Sequence, residues 1–256
     1  MRTSVLALAL ILLLPSCARS TASDRDLAFV HSGFHVDVPG ELRHAADVAH
    51  ADVRQAVEDA LDRIQAKLHT KPTSIKFFAG PQVIPQLGIT GFTNPGSGAV
   101  TITVDPESAV GIRKILRDNL GPALAHELHH SKRILDGPGY GGLLGQAVVT
   151  EGMAVAFERD VYSDDPPFAR ALSSGEERNE WHELQPHLND VDDYATHGRW
   201  FFGAPGTPRW TGYTIGYHIA KSYLQRHPRD TAAGLALLPT ATVVSQSGYR
   251  GVAPSS

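Results

Sequence analysis

Two hydrophobic periods alternate along this chain, and they predict which parts are helix and which are strand. From Glu41 to Leu68 the apolar positions Val48, Ala51, Ala56, Ala60, Leu61, Ile64 and Leu68 fall mostly at helical spacing and predict one long helix. Ser74 to Ala79, carrying Ile75, Phe77 and Phe78, reads as a strand. Ala99 to Val104 alternates strictly, with Val100, Ile102 and Val104 on one face and Thr101 and Thr103 on the other, and the turn from Asn94 to Gly98 precedes it. Asp105-Pro106-Glu107 supplies an N-cap, a proline and an early acid, which predicts a helix running toward Asn119.

Beyond that point the period is helical. Pro122 to Leu135 follows Gly121 and meets no breaker before Asp136-Gly137-Pro138-Gly139. Leu143 to Glu158 carries an apolar stripe of Leu144, Ala147, Val148, Ala154 and Val155. Gly212 to Gln225 sets Tyr213, Tyr217, Ala220 and Leu224 on one face and Thr214, His218, Lys221 and Ser222 on another. The expected fold class is therefore α+β, mainly helical, with a small N-terminal β-sheet ahead of the helix at 122–135.

Composition narrows the class. With 42% hydrophobic and 20% charged residues, and about 230 residues after any leader, the chain has ordinary globular make-up and ample material for one core. A net charge of −4 with scattered Lys and Arg excludes nucleic acid as a partner, because phosphate binding needs a concentrated basic surface.

The N-terminus reads as a targeting segment. Arg2 is followed by the apolar run Val5 to Leu14, too short to span a bilayer, and then by small residues. Cys17 is the lone cysteine, and Leu14-Pro15-Ser16-Cys17 resembles a bacterial lipoprotein cleavage box, although Pro15 is unusual there and Ser16-Cys17-Ala18 also fits ordinary cleavage. The expected organisation is a signal peptide over 1–17 ending at a lipidated cysteine, a polar tether over 18–26, and one catalytic domain over 27–256. The expected location is the cell envelope, with the membrane reached only through the lipid. With no other thiol, neither disulfides nor cysteine ligation of a metal can contribute.

The chemistry concentrates in His126-Glu127-Leu128-His129-His130. On a helix, residues four apart share a face about 6 Å apart along the axis, so His126 and His130 form a chelating pair. Imidazole suits Zn²⁺, and a carboxylate directly after the first ligand can take a proton from water activated there, which is the physical content of the HExxH pattern. Such a site needs a third protein ligand and an open position. Glu151 lies within the apolar stripe of its helix, where an unpaired charge costs several kcal/mol, and coordination would remove that cost; an ion pair with Arg or Lys is the alternative. Glu158, one heptad on, reads as a supporting or ion-pair group. His182 and His187 are five residues apart with Pro186 between them, so their rings diverge and they form no second site.

The HELHH helix, Thr150-Glu151-Gly152-Met153-Ala154 and Trp210-Thr-Gly-Tyr-Thr-Ile-Gly-Tyr217 together resemble an uncharacterised bacterial family of predicted zinc-dependent proteases, similar to the zincins whose third ligand is Glu. The resemblance covers approximately residues 75 to 250. It implies zinc held by His126, His130 and Glu151, with Glu127 as general base in the hydrolysis of a peptide or protein substrate. Many such proteins carry an acid three positions after the third ligand, where this chain has Ala154, so the carboxylate that orients a ligand histidine must come from elsewhere. By the same analogy residues 99–104 are expected to form the edge of the cleft, open to pairing with an extended peptide. Tyr213 and Tyr217, with His218 behind them, are candidate donors to the oxyanion, or else core residues whose hydroxyls find partners within the protein. Trp210 and the turn from Gly137 to Gly142 are candidates to line or cover the cleft. A non-catalytic envelope lipoprotein that keeps a structural metal site is the competing reading.

Overall fold

The computed structural model describes residues 25–252. The signal segment, Cys17 and all but the last two residues of the tether lie outside these residues. Strands β1 (Leu27–His31) and β2 (Phe34–Val38) form a hairpin over the two-residue turn Ser32-Gly33, where φ is 49° and 85°. Positive φ at both turn positions matches the right-handed twist of the paired strands. Strands β3 (Ser74–Ala79), β4 (Ile89–Thr93) and β5 (Val100–Val104) complete a five-stranded sheet in the order β1-β2-β3-β5-β4. The β2–β3 and β3–β5 pairs are parallel and the β4–β5 pair is antiparallel.

Three expectations need correction. The long helix over 41–68 is broken into α1 (Gly40–Val48) and α2 (Val53–Gln65): His50 adopts φ 51°, and the Asp52 side chain caps a new helix by accepting from the Gln55 amide at 3.1 Å. No Gly or Pro marks the break, and the periodicity runs across it because both helices cover the same sheet. Residues 99–104 are not an edge, since β5 is paired on both sides; the edges are β1 and β4. Strand β4 escaped the sequence reading because Gly91 interrupts an already short apolar run. Finally, Asp105 opens only a turn. Helix resumes at α3 (Ile112–Lys114) after Gly111 at φ 81°, then widens into a π-helical turn over Ile115–Asn119.

That turn leads directly into α4 (Leu120–Asp136), and α5 (Leu144–Tyr162) follows a short turn later. The remaining helices are α6 (Ser174–Leu184), α7 (Tyr194–His197), α8 (Thr211–Arg226) and α9 (Thr240–Ser247). The expected helices at 122–135, 143–158 and 212–225 are thus present and each slightly longer.

Two apolar clusters organise these elements. The first joins the inner face of the sheet (Ile75, Phe77, Ile102) to Leu61 of α2 and to Leu124 and Leu128 of α4. The second joins α5, α6 and α8 through residues such as Val148, Met153, Trp181 and Ile215. Helix α5 serves both, with Phe157 and Val161 in the first cluster and its N-terminal two-thirds in the second. It is buried nearly all round, as its sequence of Val, Ala and Met allows. A cleft of about 510 Å³ opens where the clusters meet, bounded by β4, α4, α5 and α8, a volume suited to a small or extended ligand. Among the described residues, no helix is long and apolar enough to cross a membrane.

Candidate metal centre

Helix α4 delivers His126 and His130 one turn apart, with ring centroids 4.8 Å apart and planes inclined by 79°. Glu151 of α5 faces both: its Oε2 lies 2.9 Å from His126 Nε2 and its Oε1 lies 3.3 Å from His130 Nε2. All three side chains are buried, and one donor atom from each falls within 4.8 Å of the others. Two ligands at zinc bond lengths about a tetrahedral centre stand about 3.3 Å apart, and the two carboxylate–imidazole separations, 2.9 and 3.3 Å, lie close to that value. The donor set of two imidazole nitrogens and one carboxylate oxygen also fits, because it is the composition of a catalytic rather than a closed structural zinc site.

The electrostatics favour a cation independently. Glu127, Glu151 and Glu158 are each 6–7% exposed and converge on two imidazoles. Three buried carboxylates without a counter-charge would each cost several kcal/mol. Burial disfavours the protonated form of His126, but Glu151 and Glu158 more than reverse this and raise its pKa well above the usual imidazole value. For Glu151, too, burial works against the charge and the neighbouring imidazoles outweigh it, so its pKa falls well below the usual carboxylate range. Burial raises Glu158 and Glu127, with His126 opposing it in both cases.

Glu127 is held by the neighbouring strand. The Thr93 hydroxyl on β4 lies 2.7 Å from its Oε2 and 2.9 Å from its backbone carbonyl. Gly91, two residues earlier on the same strand, leaves room for the side chain, since a Cβ there would stand 2.4 Å from Glu127 Cγ. The edge strand therefore builds one wall around the acid that follows the first histidine. His129, between the paired histidines and pointing the other way, is a core residue: fully buried, stacked on Phe157 at 5.5 Å and 3.3 Å from the Ala232 carbonyl.

With Ala154 three residues after Glu151, the acid that comes nearest the far side of His126 lies one heptad on. Glu158 Oε2 lies 3.5 Å from His126 Nδ1, the ring nitrogen facing away from Glu151. Another neighbour was not singled out by the sequence, namely Tyr140, whose hydroxyl donates to Glu151 Oε1 at 2.5 Å. Its signal was weak: a lone aromatic residue among the glycines of the turn already suspected of lining the cleft. Thr93 carried no signal at all.

The three candidates on α8 separate. Tyr213 lines the cleft, 6.4 Å between ring centroids from His126, and its hydroxyl makes no hydrogen bond among the described residues. Burial, with Glu151 and Glu127 close by, raises its pKa well above the usual phenol value, so it keeps its proton. Tyr217 donates instead to Asp165 at 2.9 Å, and His218 Nδ1 pairs with Glu177 at 2.8 Å. Neither contacts the ligand set. Trp210 packs on Phe168, which itself lines the cleft. His182 is largely exposed on α6 and His187 pairs with Asp190.

Comparison with known proteins agrees with this geometry. The uncharacterized protein YjfC of Bacillus subtilis (strain 168) is 26% identical over 227 residues, which cover 80% of this chain and 71% of that protein. A family model described as "Predicted Zn-dependent protease (DUF2268)" matches residues 53–244, a span that includes β4, the paired histidines, Glu151, Glu158 and all of α8. The chain belongs to this family of predicted zinc-dependent proteases.

Proposed function

We propose that the protein is a zinc-dependent peptidase in which His126, His130 and Glu151 hold the metal and Glu127 is the general base. The observation that carries this reading is the convergence of those three ligand atoms beside an acid that opens onto a cleft of about 510 Å³. Zinc, when bound, supplies Lewis acidity toward a substrate carbonyl and toward the attacking water. The chain's own residues supply the rest. Glu127 accepts a proton from water and later returns it to the leaving amine, and Thr93 keeps its carboxylate aimed into the cleft. Tyr213, with a protonated and unengaged hydroxyl, donates to the developing oxyanion. Strand β4, an edge bridged at its start by Ile84, offers the backbone beyond Ile89 for pairing with an extended peptide. The N-terminal segment through Cys17 supports an exported enzyme anchored by lipid to the cell envelope, which mass spectrometry of the mature N-terminus tests directly.

The deciding experiment combines metal analysis with activity on a mixed peptide library. Wild type is expected to bind zinc stoichiometrically and to lose cleavage with a chelator. Glu127→Gln should retain zinc and lose turnover by about 10²–10⁴-fold, the usual contribution of a general base. His126→Ala should lose both. Stoichiometric zinc without cleavage of any peptide would favour the binding lipoprotein, and native-rate cleavage by Glu127→Gln would remove the base from its assigned role.

A further inference from the structure

We propose that Tyr140 is a positioning residue of the metal centre, its phenol fixing the Glu151 carboxylate against the two imidazoles. The inference rests on reading His126, His130 and Glu151 as metal ligands, and it concerns what holds one of them in place.

Tyr140 belongs to neither metal-bearing helix but to the turn between them. Three contacts tie it to the site. Its hydroxyl donates to Glu151 Oε1 at 2.5 Å, its ring meets the His130 ring edge-on with centroids 5.5 Å apart, and its carbonyl accepts from Thr150 Oγ1 at 3.3 Å. One side chain thus touches two of the three ligands, Glu151 and His130, and its backbone holds Thr150, the residue before Glu151.

The turn is built to aim this side chain inward. Gly139 and Gly141 on either side adopt φ of 82° and 99°, a region that favours glycine. The Gly142 and Leu143 amides donate to Gln146 Oε1 at 2.9 and 3.1 Å, which ties the end of the turn to the first turn of α5. The backbone is bent and pinned on both sides of Tyr140, while the side chain it presents reaches a buried carboxylate.

The physical consequence follows from the freedom of a glutamate. Its three side-chain torsions allow the carboxylate to turn away from its neighbours, and each accessible orientation weakens a metal site by the entropy needed to remove it. An O–H donated to a charged oxygen is among the stronger hydrogen bonds. With Oε1 held by Tyr140, Oε2 stays 2.9 Å from His126 Nε2, and the carboxylate is set before any metal arrives.

The test compares full mature wild type, Tyr140→Phe and Tyr140→Leu. The measurements are zinc affinity by competition with a chromophoric chelator, the visible spectrum of the cobalt-substituted protein, and thermal unfolding of the metal-free form. A hydroxyl acting through Glu151 predicts that Phe and Leu both weaken zinc binding about 10–100-fold, the usual effect of losing a partner of a metal ligand. It also predicts that Tyr140→Phe alters the cobalt spectrum while its metal-free unfolding stays near wild type. A packing role predicts instead that only Leu weakens binding. If Tyr140→Phe binds zinc as wild type does and gives the wild-type cobalt spectrum, the proposal is overturned and the metal reading stands. If wild type itself binds no zinc, both fall together.

Discussion

Gly152 of α5 and Gly216 of α8 meet backbone to backbone: a Cβ on Gly152 would lie 1.9 Å from the Gly216 carbonyl carbon, and one on Gly216 would lie 2.0 Å from the Val148 carbonyl oxygen. These are the glycines of the E-G-M-A and W-T-G-Y-T-I-G-Y elements, so the sequence features that carry the family resemblance are also the point of closest helix packing. The contact fixes Glu151 and Tyr213, each a neighbour or near-neighbour of one of the glycines, relative to one another.

Because backbone atoms cannot step aside as a side chain can, Gly152→Ala and Gly216→Ala should each destabilise the fold by about 3 kcal/mol or more, toward the severe end of overpacking costs. For a chain of this size that corresponds to a fall in unfolding midpoint of roughly 10 °C. Thermal unfolding by circular dichroism measures it, and a shift of only a degree or two would mean that the helices are not this close.

Gly91→Ala separates activity from stability. The added Cβ would overlap Glu127 Cγ and Oε1, at 2.4 and 2.5 Å, and the acid rather than the strand must move. A displacement near 1 Å of a catalytic group costs about 10²-fold. Peptide turnover is expected to drop by that order while zinc content and the unfolding midpoint change little, and unimpaired turnover would place the base elsewhere.

Glu158→Gln is expected to act in opposite directions on fold and metal. Removing a buried carboxylate should leave the metal-free protein as stable or more so, since an incompletely compensated buried charge is a cost. Zinc affinity should fall about 10–100-fold, because His126 loses the carboxylate behind its Nδ1. Chelator competition together with unfolding of the metal-free form gives both signs. Equal zinc affinity would show that the 3.5 Å contact has no part in holding the ligand.

The two tyrosines of α8 should behave differently. Tyr213→Phe removes an unengaged hydroxyl facing the cleft and is expected to lower kcat by about 10²-fold with KM little changed, as loss of an oxyanion donor does. Tyr217→Phe removes a hydroxyl already committed to Asp165 and should leave kcat within a few-fold of wild type. Steady-state kinetics on one peptide substrate decides between them, and a reversal of the two effects would exchange their roles.

How much of this was legible beforehand depended on how local each feature is. The paired histidines are set within five residues of one helix, and periodicity alone shows that His126 and His130 share a face. Glu151 could be singled out because an acid in an apolar stripe is anomalous wherever the helix packs. The strand at 74–79 and the helices bearing the site were likewise visible, since their patterns are continuous. The break at His50 was not visible because no Gly or Pro marks it and the apolar period runs across it, and the edge position of β4 was not visible because strand order joins segments distant in the chain.

The amino-acid sequence by itself determined the pairing of His126 with His130 on one helix face and the elements that carry the site, because side-chain spacing and amphipathic period are properties of a single segment. Only the tertiary structure decided that Thr93 and Gly91 shape the space around Glu127, that it is His126 which Glu158 approaches, and that Tyr140 rather than Tyr217 reaches Glu151. Those relationships join side chains from separate elements, and their distances are fixed by how the sheet, α4, α5 and α8 pack against one another.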